Sequence, residues 1–136
     1  MTLSQINSTL PNGFHDAEIS RFECNFLAAT ASFEMDFWIA TEADINKRRL
    51  GTLELTGVVF ISVDSPNPRQ FDPKPLIARR EQIQIDGMPA NAEIFPALPR
   101  LTPDLASTEV FSFYVSNWNS FIHIACADAN IKWTEE

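Results

Sequence analysis

Glycine is scarce in this chain, at four of 136 residues, and there are only two cysteines, two histidines and one tyrosine. Four glycines leave little for a phosphate-cradling loop, and neither the Walker spacing nor the Rossmann glycine pattern occurs. A G-x-S-x-G elbow and an HExxH helix are also missing. Cys24 and Cys126 lie far apart, so they form neither a disulfide framework nor a CxxC metal pair. Both fall on apolar strand faces and read as small buried hydrophobes. No apolar run approaches the roughly eighteen residues needed to span a bilayer. Residues 1–5 lack the charged and apolar regions of a signal peptide. A cytoplasmic chain with reduced thiols is the expectation.

Positive charge is the other shortage. Ten basic residues stand against eighteen acidic ones, for a net charge of −8. Such a field repels a phosphate backbone, so no nucleic-acid partner is expected. The nearest approaches to basic clusters are Lys47-Arg48-Arg49 and Arg79-Arg80. Both are short and have the acidic neighbours Asp44 and Glu81, so they read as solvated loop or edge. The same charge suits solubility or attraction to a basic partner.

What the chain does hold is aromatic bulk: eleven Phe and three Trp within a 45% hydrophobic composition. Those side chains favour the pleated surface of a sheet. A length of 136 residues fits one domain with one real core. Leu3, Ile6 and Leu10 recur at helical spacing, with Thr2 as N-cap and Pro11 as stop, followed by the turn Pro11-Asn12-Gly13. From Ala17 to Ala40 the pattern is a hairpin. Phe33, Met35, Phe37 and Ile39 alternate cleanly with polar residues, while a phase slip near Ser20-Arg21 predicts a bulge in the first arm. Leu50 to Val63 reads as a long strand with Leu53, Leu55, Val59, Ile61 and Val63 in phase and Gly57 marking a bend.

Eight of the nine prolines fall between Pro66 and Pro103, which predicts long loops at about 64–80 and 87–107. A short strand at 82–87 lies between them and ends in an Asp86-Gly87 turn. Val110 to Val115, Phe121 to Ala127 and a last piece starting at Ile131 complete about seven strands, with a tight turn at 128–130. Helical crossovers are absent, so the predicted class is all-β or β-dominated: an antiparallel meander forming a curved sheet, sandwich or open barrel, with a short N-terminal helix.

The densest reactive cluster is His15-Asp16-Ala17-Glu18. An imidazole beside two carboxylates suits metal binding or acid–base work. The competing reading is structural, with His15 and Asp16 fixing the turn into the first strand. In an extended chain the two would point to opposite faces. His123 lies mid-strand; folding that brought it beside His15 would assemble a two-histidine site, and otherwise it is a satisfied strand residue. No catalytic residue, metal or cofactor is assigned. Trp38, Phe60 and Trp118 are interface candidates, because Trp38 and Phe60 lie opposite the core parity of their strands. Cover by the Pro-rich loops is the alternative.

Residues 10–19, Leu-Pro-Asn-Gly-Phe-His-Asp-Ala-Glu-Ile, resemble the start of a group of small uncharacterised bacterial proteins. They are also similar to the F-H-D-A-E stretch of a family of immunity proteins that neutralise bacterial polymorphic toxins. That family usually carries Trp-Pro-Ser before the motif, where this chain has Pro11-Asn12-Gly13. The stretch Trp118-Asn119-Ser120-Phe121-Ile122 is similar to the first group. The likeness spans about ten residues and implies shared architecture. The leading expectation is a non-enzymatic, immunity-like binding protein for a basic protein partner. A small metal-dependent enzyme or ligand binder using His15, Asp16, Glu18 and His123 is the alternative. A structural homodimer formed through Trp38 and Phe60 is the third.

Overall fold

The computed structural model describes residues 1–65, 83–101, 105 and 108–134. Helix α1 (Leu3–Thr9) begins where expected, because Thr2 and Gln5 form a reciprocal capping box. Gln5 N donates to Thr2 Oγ1 at 3.1 Å and Thr2 N donates to Gln5 Oε1 at 2.8 Å. Two of the helix's orphan donors are thereby satisfied. Leu3 and Ile6 are buried.

Six strands follow: β1 (Ala17–Asn25), β2 (Thr30–Trp38), β3 (Arg48–Val63), β4 (Ile83–Pro89), β5 (Val110–Val115) and β6 (Ser120–Trp133). A one-turn helix, α2 (Leu98–Leu101), lies between β4 and β5. The strands close into an antiparallel barrel in the order β1-β2-β3-β6-β5-β4. Two three-stranded meanders are joined by β3 to β6 on one side. On the other, among the described residues, Ala17↔Ile85 to Ile19↔Ile83 close the ring. Closure removes most of the exposed edge that an open sheet would present.

The interior explains the aromatic content. Phe14 is fully buried and meets the rings of Phe113, Phe111 and Phe37 at 5.1, 5.7 and 6.2 Å. Burying one such side chain contributes about 1.5–3 kcal/mol. The Asn12-Gly13 turn delivers it. Gly13 adopts φ 56°, and a Cβ there would lie 2.4 Å from Asn7 Oδ1, the acceptor of the Phe14 N–H. A second, smaller apolar cluster of Phe95, Leu105, Val110 and Ala125 lies outside the barrel wall, with Phe60 packed against it.

The register slip in β1 falls between Ile19 and Arg21, as the phase of the sequence predicts. Four expectations are corrected. β6 runs unbroken through 128–130, giving six described strands: β3 is sixteen residues long and pairs with it from Gly51↔Trp133 to Val63↔Ile122, and that pairing overrides a turn-prone tripeptide. Asp86-Gly87 is not a turn but the middle of β4, because the missing Gly87 side chain makes room for the Phe14 ring. In β3 a bulge between Val58 and Phe60 makes Val59 the extra residue, so it stands 58% exposed while Val58 packs against the core. The expected loop at 87–107 contains the end of β4 and α2. The loop expected at 64–80 lies largely outside the described residues. Among those described, no helix is long and apolar enough to cross a membrane.

Candidate functional site

The F-H-D-A-E stretch is split by the barrel wall. Phe14 and Ala17 go inward and are fully buried, while His15, Asp16 and Glu18 face outward. His15 and Asp16 do not diverge as an extended chain would make them, because Asp16 adopts φ 56° in the turn. His15 Nε2 therefore lies 3.5 Å from Asp16 Oδ2, and Nδ1 is hydrogen-bonded to Asp86 of β4. Gln84 Nε2 donates to Asp16 Oδ1 at 2.7 Å. Arg48 donates to the carbonyls of Asp16 and Asp36 at 3.0 Å each. The Trp38 ring sits 5.7 Å from the imidazole.

This arrangement favours an imidazolium. The hydrogen bond that His15 donates to Asp86 raises the His15 pKa above 6.5, with partial burial opposing and the charges of Asp86 and Asp16 helping. Its side chain is 58% exposed, so solvent screens these pairs and their main effect is to orient the ring. His15, Asp16 and Asp86 are also the group whose donor atoms lie within 4.8 Å of one another and could hold a cation. With a carboxylate at each ring nitrogen, one nitrogen could take the ion while the other keeps its outer partner. Glu18 and His123 do not belong to that group. Among the described residues, the side chains set against the His15 ring are Asp16, Asp86 and Trp38.

His123 is elsewhere. From Asp86 it is two strands across, through Tyr114 and Phe121, and two residues along β6, a Cα separation of about 12 Å. A two-histidine site is thus not assembled. His123 is 1% exposed and sandwiched between Phe95, at 4.1 Å, and Phe121, at 5.6 Å. Its Nδ1 lies 2.7 Å from Ser112 Oγ, and its Nε2 lies 3.5 Å from Asp64 Oδ2. Burial lowers its pKa below 6.5, while Asp64 pulls the other way. A serine, a histidine and an aspartate in line invite a hydrolase reading, but Ser112 is fully buried beneath the same cover. The trio instead satisfies a polar ring buried beneath Phe95.

The three aromatic interface candidates are placed as follows. Trp38 donates its indole N–H to the Ile45 carbonyl at 2.9 Å, so its own loop holds it. Phe60 lies against Phe95 at 5.8 Å, and Trp118 packs on the main core from the β5–β6 turn. Among the described residues, the most exposed apolar side chains are different ones. Phe26 is 90% exposed and Leu27 is 101% exposed, both at the tip of the β1–β2 hairpin.

That tip is ordered by its own backbone chemistry. Asn25 Oδ1 accepts the N–H groups of Leu27 and Ala28, each at 3.1 Å, which forms an Asx turn. Ala29 takes φ 54° and its carbonyl accepts the Val58 N–H at 2.9 Å, tying the tip to the bulge of β3. A concavity behind the tip is lined by Glu23 and Glu54 among mostly polar and small residues, and Arg21 is paired with Glu23 beside it. The sequence hides Phe26 because it continues the apolar phase of Phe22 and Cys24, although β1 ends at Asn25. The available signal is an apolar pair directly after an Asn with no glycine to make the turn. No protein-family model, curated protein or solved structure matches this chain.

Proposed function

We propose that this protein is a non-enzymatic binding protein that engages a basic protein partner through the Phe26-Leu27 hairpin tip, in the manner of an immunity protein blocking a toxin. The observation that carries this reading is the near-complete exposure of two large apolar side chains on a pre-ordered turn. Inserting both into a partner's pocket gives about 3–6 kcal/mol of gross apolar burial. Little conformational entropy is lost, because the turn is already formed. The Glu54 carboxylate and the net charge of −8 complement a pocket with a basic rim and speed the encounter. The same charge disfavours an anionic lipid surface as the target. The F-H-D-A-E resemblance supports the immunity-like class, and the two free thiols fit a reducing cytoplasm.

The test is a photo-crosslinking amino acid at Leu27, activated in cells that carry the neighbouring genes. Crosslinks to one basic protein are expected, weakening as salt is raised. Crosslinks only between copies of this chain would replace the partner reading with a homodimer, and no crosslink above a control placed at Thr52 would remove it.

A further inference from the structure

The opposite end of the barrel carries a second feature, one β2 length away, or about 30 Å from the hairpin tip. A cavity of about 540 Å³ opens there between α1 and the strand ends. Its walls are aliphatic: Ile6 and Leu10 from α1, Ile39 after β2 and Ile131 near the end of β6. Trp133 completes them and is itself occupied, edge-on to Phe37 at 5.3 Å and under the Arg49 guanidinium at 4.3 Å. Gly51 makes this possible, since a Cβ there would come within 3.0 Å of the Trp133 ring.

The charge of this cavity runs against that of the whole molecule. Acidic residues outnumber basic ones eighteen to ten, yet none lines the cavity, whereas Lys47 and Arg49 do. Strand alternation separates the three consecutive basic residues. Arg48 turns to Asp36, with Nε 3.3 Å from Oδ2. Arg49, one position on, keeps the parity of its cross-strand neighbour Phe37 and faces the mouth. Neither Lys47 nor Arg49 meets a carboxylate among the described residues. An apolar pocket at a barrel mouth, with a few convergent polar groups and this volume, has the make-up of a small-molecule site.

We infer that this cavity binds a medium-chain aliphatic carboxylate. The chain lies among Ile6, Leu10, Ile39 and Ile131, and the carboxylate is held by Arg49 and Lys47. The inference does not depend on the protein-partner reading, since the two sites share no residue.

The test is a titration of the purified full chain with decanoate below its micellar range, followed by Trp fluorescence and calorimetry. Decan-1-ol and decylamine serve as matched controls. One saturable site for decanoate is expected, with binding at least about tenfold weaker in Arg49→Glu and again in Lys47→Glu. Decylamine is expected not to compete. Lys47→Glu is at an exposed position and should keep the wild-type urea midpoint, while Arg49→Glu gives up its stacking on Trp133 and should lower it slightly without unfolding the barrel. No saturable binding, equal binding of amine and carboxylate, or unchanged affinity in both charge variants would overturn the inference.

Discussion

Gly87→Ala is the sharpest probe of how the F-H-D-A-E stretch is built into the barrel. A Cβ at Gly87 would lie 2.8 Å from Phe14 Cδ2 and 2.9 Å from Phe111 Cε1. Comfortable carbon contacts are about 3.5–4.0 Å, so the new methyl is short by at least about 0.6 Å on two sides. Phe14 cannot swing away, because Phe37, Phe111 and Phe113 surround it. Gly87 does not have positive φ, so the substitution adds no backbone strain and the cost is purely one of space. Overpacking of this kind costs about 1–3 kcal/mol. Phe14→Ala alone should cost about 3–5 kcal/mol, by leaving a cavity. In the double variant the methyl added at position 87 enters the vacated space, so the combined loss should fall at least about 1 kcal/mol short of the sum. Urea unfolding followed by Trp fluorescence, with unchanged m-values, reads all four corners of the cycle. A Gly87→Ala variant as stable as the parent, or losses that simply add, would refute this packing.

The two histidines should behave oppositely. His15, raised by Asp86, should titrate above 6.5 by NMR, and His123, lowered by burial, should titrate below it. For His123 the unfolded chain binds the proton more readily, so stability is intact above about 6.5 and falls as pH drops through 6.5 toward the folded value. The limiting slope is about 1.4 kcal/mol per pH unit for one proton, and His123→Gln should flatten it. For His15 the folded chain holds the proton better, so its small contribution is present below 6.5 and is lost as pH rises through its folded value. A reversed titration order would contradict both placements. The Cys126 thiol is pushed up to about 11 by burial, chiefly, from an ordinary 9.0. In a Cys24→Ser background, iodoacetamide at pH 8 should therefore react on the order of a hundredfold more slowly with folded than with unfolded protein. Comparable rates would show an accessible thiolate.

Local chemistry was legible in the sequence wherever it determined the structure by itself. The Thr2 cap, the Asn12-Gly13 turn, the Phe33-Met35-Phe37 face and the slip near Ser20-Arg21 all follow from propensity and period. The misreadings share one cause, which is pairing at a distance. Asp86-Gly87 has turn chemistry, but it sits in a strand because Phe14, more than seventy residues earlier, needs the space. Residues 128–130 look like a turn and are held straight by β3. The candidate site was half legible for the same reason. His15 and Asp16 are neighbours in sequence, but Asp86 reaches them only through the short β1–β4 closure. His123 finds its Ser112 and Asp64 partners only once the β5–β6 hairpin and the end of β3 are in place. The exposure of Phe26 was hidden, since periodicity carried the strand one residue past its end at Asn25.

The most direct measurement compares the parent chain with Phe26→Ser/Leu27→Ser in binding to the protein that crosslinks at the hairpin tip. Both side chains are solvent-exposed, so the double variant should match the parent's urea midpoint to within about 0.5 kcal/mol. Its affinity should fall by about a hundredfold or more, as expected when two anchoring side chains leave their pocket. Unchanged affinity in a folded double variant would contradict the central proposal and move the interface away from the hairpin tip.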